Sequence, residues 1–188
     1  MTLLECNGDV LRLILESLAP ADLRSVCLVH RCLRSLAEPL LYCTVELAFT
    51  GKQGHIQPQS ITAFVRTLLS RPELAAHIRT LSCRDGTSQP RCMWLGKAPK
   101  LSVSDMDLRV AVSFVEGTRL SYRDRWIEEL HRGTLDAFVA LLLSRLPRLR
   151  RLYLEAPFSM EIQLTGLVVR SIVCGPRSRR CSSRSTTR

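Results

Sequence analysis

The stretch FVRTLLSRPELAAHIRTLSC, residues 64–83, and the stretch FVALLLSRLPRLRRLYLEA, residues 138–156, follow one plan. Each begins with apolar residues at helical spacing, passes through Leu-Leu-Ser-Arg and then meets a proline. Because proline has no amide hydrogen to donate, a helix is expected to end close to it. Apolar residues alternate beyond each proline, which predicts strands near residues 78–83 and 149–155.

A helix followed by a strand, repeated along the chain, is typical of an irregular leucine-rich repeat array. One unit cannot bury its apolar face alone, so about three stacked units are needed for stability. The chain offers two clear copies and a lead-in strand at residues 43–49, CTVELAF. Polar, turn-rich residues at 51–60 and 84–100 predict loops between these elements. We therefore expect an incomplete array.

Ahead of the array, residues 10–42 read VLRLILESLAPADLRSVCLVHRCLRSLAEPLLY and place apolar residues at helical spacing. Asn7 or Asp9 can cap a first helix. Pro20 ends that helix and suits the first turn of a second one. Pro39 is expected to limit a third helix. Three short helices are the economical interpretation.

These three helices carry more apolar side chains than they can bury among themselves. A unit of about 35 residues is smaller than the roughly 40 at which a domain is usually stable without outside help. Its apolar positions also point in too many directions for one internal seam. Another part of the chain or a partner must cover the remainder, and such a surplus indicates binding rather than catalysis.

Residues 10–42 resemble the F-box, a three-helix module that docks on a Skp-type adaptor in cullin-based ubiquitin ligases. DVLRLILESL is similar to its first helix, PADLRSVCLV to its second, and HRCLRSLAEPLLY to its third helix and exit. The later stretches look like the degenerate leucine-rich region of many fungal F-box proteins, so the resemblance extends to about Phe158. It implies an α+β fold with three parts: an F-box-like domain at 4–42, an irregular, incomplete leucine-rich helix/strand repeat array at 43–169, and a disordered basic tail at 170–188.

The resemblance also implies which residues form the adaptor-facing module. They are Asn7, Val10, Leu11, Ile14, Leu15, Leu23, Val26, Leu28, Val29 and Leu33. The apolar members are expected to divide between the small core of the module and the adaptor contact, and the alternative is that all of them are core. F-boxes commonly begin with Leu-Pro where this chain has Cys6 and Asn7, and they often carry tryptophan where it has Leu33. Both positions belong to the adaptor-facing surface of the family.

The function implied is that of a substrate-receptor subunit of an SCF-type ubiquitin ligase. The N-terminal helices would bind the Skp-type adaptor, and through it a cullin scaffold, while the repeats recruit an unknown protein substrate. Catalysis would belong to other subunits, so we expect no enzymatic activity, cofactor or metal in this chain. The alternative is a non-ligase interaction protein in which a degenerate F-box caps the repeats.

The net charge of +10 is concentrated at one end of the chain. Residues 170–188 hold six arginines and no acidic residue, so a nucleic-acid-binding function would rest on this tail alone. A terminus rich in serine and arginine is disordered by default, which makes that function the less favoured one. No apolar run approaches the length of about 18 residues that predicts a membrane span. The N-terminus lacks the basic segment of a secretory signal, so the expected location is the cytoplasm or nucleus.

One group of cysteine and histidine residues has the composition of a metal site. Cys27, His30 and Cys32 lie close in sequence, but two cysteines five residues apart on a helix differ by about 140° around its axis. The three side chains therefore cannot converge on one tetrahedral ion, and a structural role is favoured. All eight cysteines are expected to be reduced.

Acid–base and nucleophilic chemistry finds little support in the sequence. His131 lies beside Glu128 and Glu129, but adjacent carboxylates on a helix usually mark a solvated face. Trp126 is expected to pack against the core rather than serve a binding face. The chain has no G-x-S-x-G, G-x-x-x-x-G-K-[ST] or G-x-G-x-x-G motif.

Overall fold

The computed structural model describes residues 6–49, 59–85, 101, 103–154 and 163–173. Within these ranges the chain forms nine helices and one three-stranded parallel sheet, which confirms the mixed helix-and-strand class. None of these helices has both the length and the apolar content that crossing a bilayer requires.

Three short helices open the described chain. They are α1 (Gly8–Glu16), α2 (Pro20–Val29) and α3 (Arg31–Leu41). The side chain of Asn7 caps α1 by accepting a hydrogen bond from the amide of Asp9 at 3.3 Å, so Asn7 rather than Asp9 is the cap. Pro20 occupies the first turn of α2, as predicted.

Pro39 does not limit α3, which corrects one expectation. The helix continues to Leu41, because a proline in the last turn removes only one amide donor from the helical ladder. The amide of Tyr42 still donates to the carbonyl of Glu38 at 3.0 Å and closes that turn.

The sheet contains the predicted strands in chain order. They are β1 (Thr44–Phe49), β2 (Thr80–Asp85) and β3 (Arg151–Leu154), all parallel, with β2 in the centre. The register aligns Val45, Leu81 and Leu152, and these side chains pack into one core. Because side chains alternate along a strand, the residues between them belong to the opposite face of the sheet.

Helices connect the strands. Between β1 and β2 lie α4 (Gln59–Ser70) and α5 (Pro72–Ala75); between β2 and β3 lie α6 (Asp105–Glu116), α7 (Arg123–His131) and α8 (Leu135–Ser144); after β3 comes α9 (Gln163–Val173). The two predicted copies are therefore α4–α5–β2 and α8–β3. Neither α6 nor α9 was predicted from the sequence. Of the predicted loops, 51–58 and 86–100 lie outside the described residues.

Two clusters of buried side chains lie within the described part of the chain. The larger one joins the repeats, and α8 is central to it because eight of its ten residues are buried. The smaller one lies among α1, α2 and α3, and its buried members are Leu15, Leu23 and Ala37. The N-terminal helices therefore have a small interior, as their length predicts.

The last described helix is tied to the repeats by a carboxylate. Asp136 on α8 accepts hydrogen bonds from the amides of Leu164 at 2.7 Å and Thr165 at 3.0 Å, which satisfies donors in the first turn of α9. The helix includes residues 170–173, which the sequence analysis had assigned to the basic tail. Residues 174–188 lie outside the described chain, so their disorder stays a prediction.

Candidate functional site

The first candidate surface is an apolar stripe on α1. Apolar residues on this helix form two groups, and only one is covered. Leu11 and Leu15, four residues apart, are buried, whereas Val10, Leu13 and Ile14 are 47%, 68% and 42% exposed. The exposed three follow the spacing i, i+3, i+4 and therefore share one face of the helix.

The same division occurs on α2. Leu23 is buried and Val26 packs partly against the small core, but Leu28 and Val29 in the last turn are 87% and 74% exposed. The alternative expectation, that every apolar residue matched to the F-box lies in the core of the module, is therefore wrong. We call the five exposed side chains of α1 and α2 the apolar surface: Val10, Leu13, Ile14, Leu28 and Val29.

Two other residues matched to the F-box have structural roles in this chain. Asn7 is exposed and caps α1, as described above. Leu33 was expected on the adaptor-facing surface, but α3 packs against α1 and α2 and leaves Leu33 only 6% exposed. In the free chain Leu33 is therefore an interior residue. Leu13 was not among the residues matched to the F-box. It lies three residues after Val10, and this helical spacing could have identified it as part of the same face.

An ion pair joins the N-terminal helices to the repeats. Arg71, between α4 and α5, donates two hydrogen bonds to the carboxylate of Glu38 on α3, at 3.0 and 3.1 Å. Arg34 and Glu73 extend this contact into a group of four charges. The hydrogen bonds from Arg71 lower the pKa of Glu38 below its ordinary value, and the same contact raises the pKa of Arg71. The apolar surface is thus held on a helical unit that is fastened to the repeat sheet.

The second candidate surface is the face of the sheet opposite the large core. Two rows of aligned residues cross it: Thr44, Thr80 and Arg151 in one, and Glu46, Ser82 and Tyr153 in the other. Arg84 lies over the second row, donates to the hydroxyl of Ser82 at 3.1 Å and lies 3.9 Å from Glu46. Tyr153 is 54% exposed at the edge of the sheet. This face is polar and mixed in charge, which suits contact with a protein surface.

The cysteine and histidine candidates have structural explanations. His30 caps α3, because its Nδ1 atom accepts a hydrogen bond from the amide of Cys32 at 3.2 Å. Cys83 lies in the large core, where burial raises the pKa of its thiol to about 12, so it is protonated at neutral pH. Among the described residues, no three histidine, cysteine or acidic side chains are grouped closely enough to hold a metal ion.

The candidates for acid–base chemistry and aromatic binding are also accounted for. Glu128 and Glu129 both pair with Arg132 on the exposed side of α7. Trp126 is fully buried, and its indole nitrogen donates to the carbonyl of Ala137 at 3.0 Å, which confirms its predicted packing role. The structure therefore gives these residues packing and ion-pairing roles.

Comparison with known proteins gives one family. The family model described as a leucine-rich repeat domain matches residues 48–183, and no F-box family matches the chain. No curated protein and no solved structure shows a significant match. The matched range includes β2, β3 and every helix from α4 to α9.

Proposed function

Because this chain belongs to the leucine-rich repeat domain family, a class of protein-interaction module, we propose that it is a non-enzymatic binding subunit. In the more specific form of this proposal, it is a substrate receptor of an SCF-type ubiquitin ligase. The apolar surface on α1 and α2 docks on a Skp-type adaptor, and the repeats hold a protein substrate.

The exposure of the apolar surface is the observation that carries this proposal. Five large apolar side chains, four of them at positions carried over from the F-box, are left uncovered by a bundle in which only five side chains are buried: Leu11, Leu15, Leu23, Leu33 and Ala37. If a partner covered these side chains, the removal of their apolar area from water would favour binding by about 25 cal/mol per Å². An adaptor with an apolar groove is such a partner.

The contribution to ubiquitin transfer would be positional. An adaptor held at one end and a substrate held at the other are brought together at a high effective concentration, with no reacting group from this chain. The ion pair between Glu38 and Arg71 supports this role, because it joins the N-terminal helices to the repeats and favours one orientation of the two binding surfaces.

A non-ligase interaction protein is the second candidate function. Two observations favour it: no F-box family matches the chain, and Leu33 is interior at a position where F-boxes contact the adaptor. In that case α1 to α3 cap the repeat array, and the apolar surface binds a different protein. The two candidates differ in whether the Skp-type adaptor binds.

Size-exclusion co-elution with a purified Skp-type adaptor tests the proposal. The wild-type chain is expected to co-elute with the adaptor. The double variant Leu28→Asp/Val29→Asp should lose at least about tenfold in affinity, because two carboxylates would be desolvated in the interface. Both positions are highly exposed, so we expect the circular dichroism spectrum of the variant to match that of the wild type.

Met106→Asp on α6 is the matched control, since Met106 is 70% exposed and lies outside α1 and α2. It should leave co-elution unchanged. A folded wild-type chain that elutes apart from the adaptor contradicts the ligase form of the proposal. Variants that restore the F-box consensus are less suitable, because Asn7→Pro removes the cap of α1 and Leu33→Trp overfills an interior site.

A further inference from the structure

Three arginines from the two repeat copies lie close together at the end of the sheet where β2 and β3 begin. Arg79, Arg148 and Arg150 line a groove of about 370 Å³, together with Leu149. The backbone fixes this arrangement, because the amides of Arg150 and Arg151 both donate to the carbonyl of Arg79, at 2.8 and 3.0 Å. We call these four lining residues the arginine groove: Arg79, Arg148, Leu149 and Arg150.

The positive charges of the arginine groove are not balanced within the described chain. No carboxylate of the described residues forms an ion pair with Arg79, Arg148 or Arg150, and all three are exposed. Arg71, by contrast, lies eight residues before Arg79 and pairs with two carboxylates. Like charges on neighbouring strands repel, so the free groove is electrostatically unfavourable and an anion placed in it would be stabilised.

The shape and composition of the arginine groove point to a peptide. Planar guanidinium groups bind carboxylates through two parallel hydrogen bonds, and an apolar floor at Leu149 can accept the aliphatic part of an acidic side chain. The groove residues include no aromatic side chain on which a nucleic-acid base could stack. The adjoining sheet face carries Glu46 as well as Arg84 and Arg151, so its charge is mixed, whereas the charged residues of the groove are all basic.

We propose that the arginine groove binds an acidic segment of the protein partner, with its carboxylates paired to Arg79, Arg148 and Arg150. This inference rests on the proposed function, because it assigns the chemistry of the protein that the repeats recruit. It involves a surface separate from α1 and α2. The two proposals can therefore fail independently.

Fluorescence anisotropy with a fluorescein-labelled hexaglutamate peptide, at physiological ionic strength, tests this proposal on the full chain. Arg148→Glu/Arg150→Glu should weaken peptide binding at least about tenfold. The matched control is Arg109→Glu/Arg119→Glu, which changes the net charge equally at two exposed arginines that form no ion pair in the described part of the chain. The control should weaken binding by no more than about twofold.

Equal weakening by both pairs of substitutions would overturn the proposal, because bulk charge would then explain the binding. Tighter binding of a labelled oligothymidylate than of the peptide, lost in the groove variant, would also overturn it in favour of nucleic acid. If the glutamate variant does not fold, the neutral variant Arg148→Gln/Arg150→Gln replaces it with the same expectation. The groove variants should still co-elute with the Skp-type adaptor, which separates this result from failure of the proposed function.

Discussion

Gly133 joins α7 to α8 in a conformation that few other residues adopt. Its φ angle is +68°, and its carbonyl accepts a hydrogen bond from the amide of Leu101 at 2.8 Å. A Cβ atom at this position would lie 2.5 Å from the carbonyl oxygen of Leu101. Both the backbone angle and the close approach therefore require glycine.

Gly133→Ala is expected to lower the free energy of unfolding by about 2–3 kcal/mol, measured by urea titration, through backbone strain and the clash with Leu101. Gly166→Ala is the control, because nothing lies within 4 Å of a Cβ there and Gly166 is inside α9. It should stabilise the chain by about 0.5–1 kcal/mol. Similar effects of the two substitutions would contradict the role given to Gly133.

At the same junction Thr134 has a local sequence signal, because threonine is a common N-cap residue. Thr134 is at the N-cap position of α8, as its residue type predicts, but its hydroxyl donates to the carbonyl of Glu129 at 3.2 Å and does not cap the helix. Part of the need for glycine at position 133 comes from the approach of Leu101, which is 32 residues away. A contact between segments so distant in sequence has no local signal.

At the scale of elements, the strands and repeat helices were predictable because their apolar periodicity is strong. The last helix, α9, was not predicted, and α6 was not predicted either, although its Leu108, Val112 and Val115 follow helical spacing. A local signal existed: Ser104 caps the helix by accepting a hydrogen bond from the amide of Asp107 at 3.2 Å, which is half of a capping box. Asp107 also pairs with Arg66 on α4, so the same residue takes part in the cap of α6 and joins that helix to α4.

The ion pair between Glu38 on α3 and Arg71 in the repeats should make the free energy of unfolding depend on pH. Hydrogen bonds from Arg71 lower the pKa of Glu38 in the folded chain below its unfolded value of 4.5. The pair therefore contributes its full stability above that unfolded value and loses it as the pH falls through the lower folded value. Glu38→Gln should cost about 1 kcal/mol at pH 7, after allowance for solvent screening.

The difference between Glu38→Gln and the wild type should shrink as the pH falls below about 4.5, measured by urea unfolding at a series of pH values. Glu16→Gln is the control, since Glu16 pairs with Arg12 on the exposed side of α1 and should contribute little at any pH. A Glu38→Gln cost that is constant down to pH 3 would contradict the ion pair as its source.

At the scale of the whole molecule, the sequence indicated a surplus of apolar side chains but not which of them are exposed. On α1 the buried Leu11 and the exposed Val10 are equally apolar neighbours. Which one is covered depends on where α3 packs, and that is fixed by tertiary contacts. The arginine groove was likewise not predictable, because Arg79 and Arg148 become neighbours only when β2 and β3 pair.

The two clusters of buried side chains predict that the chain unfolds in two stages. Leu23 lies in the small cluster of α1 to α3, and Leu81 lies in the large cluster of the repeats. Substituting either with alanine removes about 2–5 kcal/mol of packing, but the loss should fall on different parts of the chain.

Amide hydrogen exchange is the measurement that separates them. Leu23→Ala should accelerate exchange in α1, α2 and α3 while β2 and α8 stay protected, whereas Leu81→Ala should accelerate exchange throughout. The ion pair between Glu38 and Arg71 is partly exposed to solvent. It is therefore too weak to couple the unfolding of the two clusters fully. If Leu23→Ala reduced protection in α8 as much as in α2, the N-terminal helices and the repeats would be one cooperative unit.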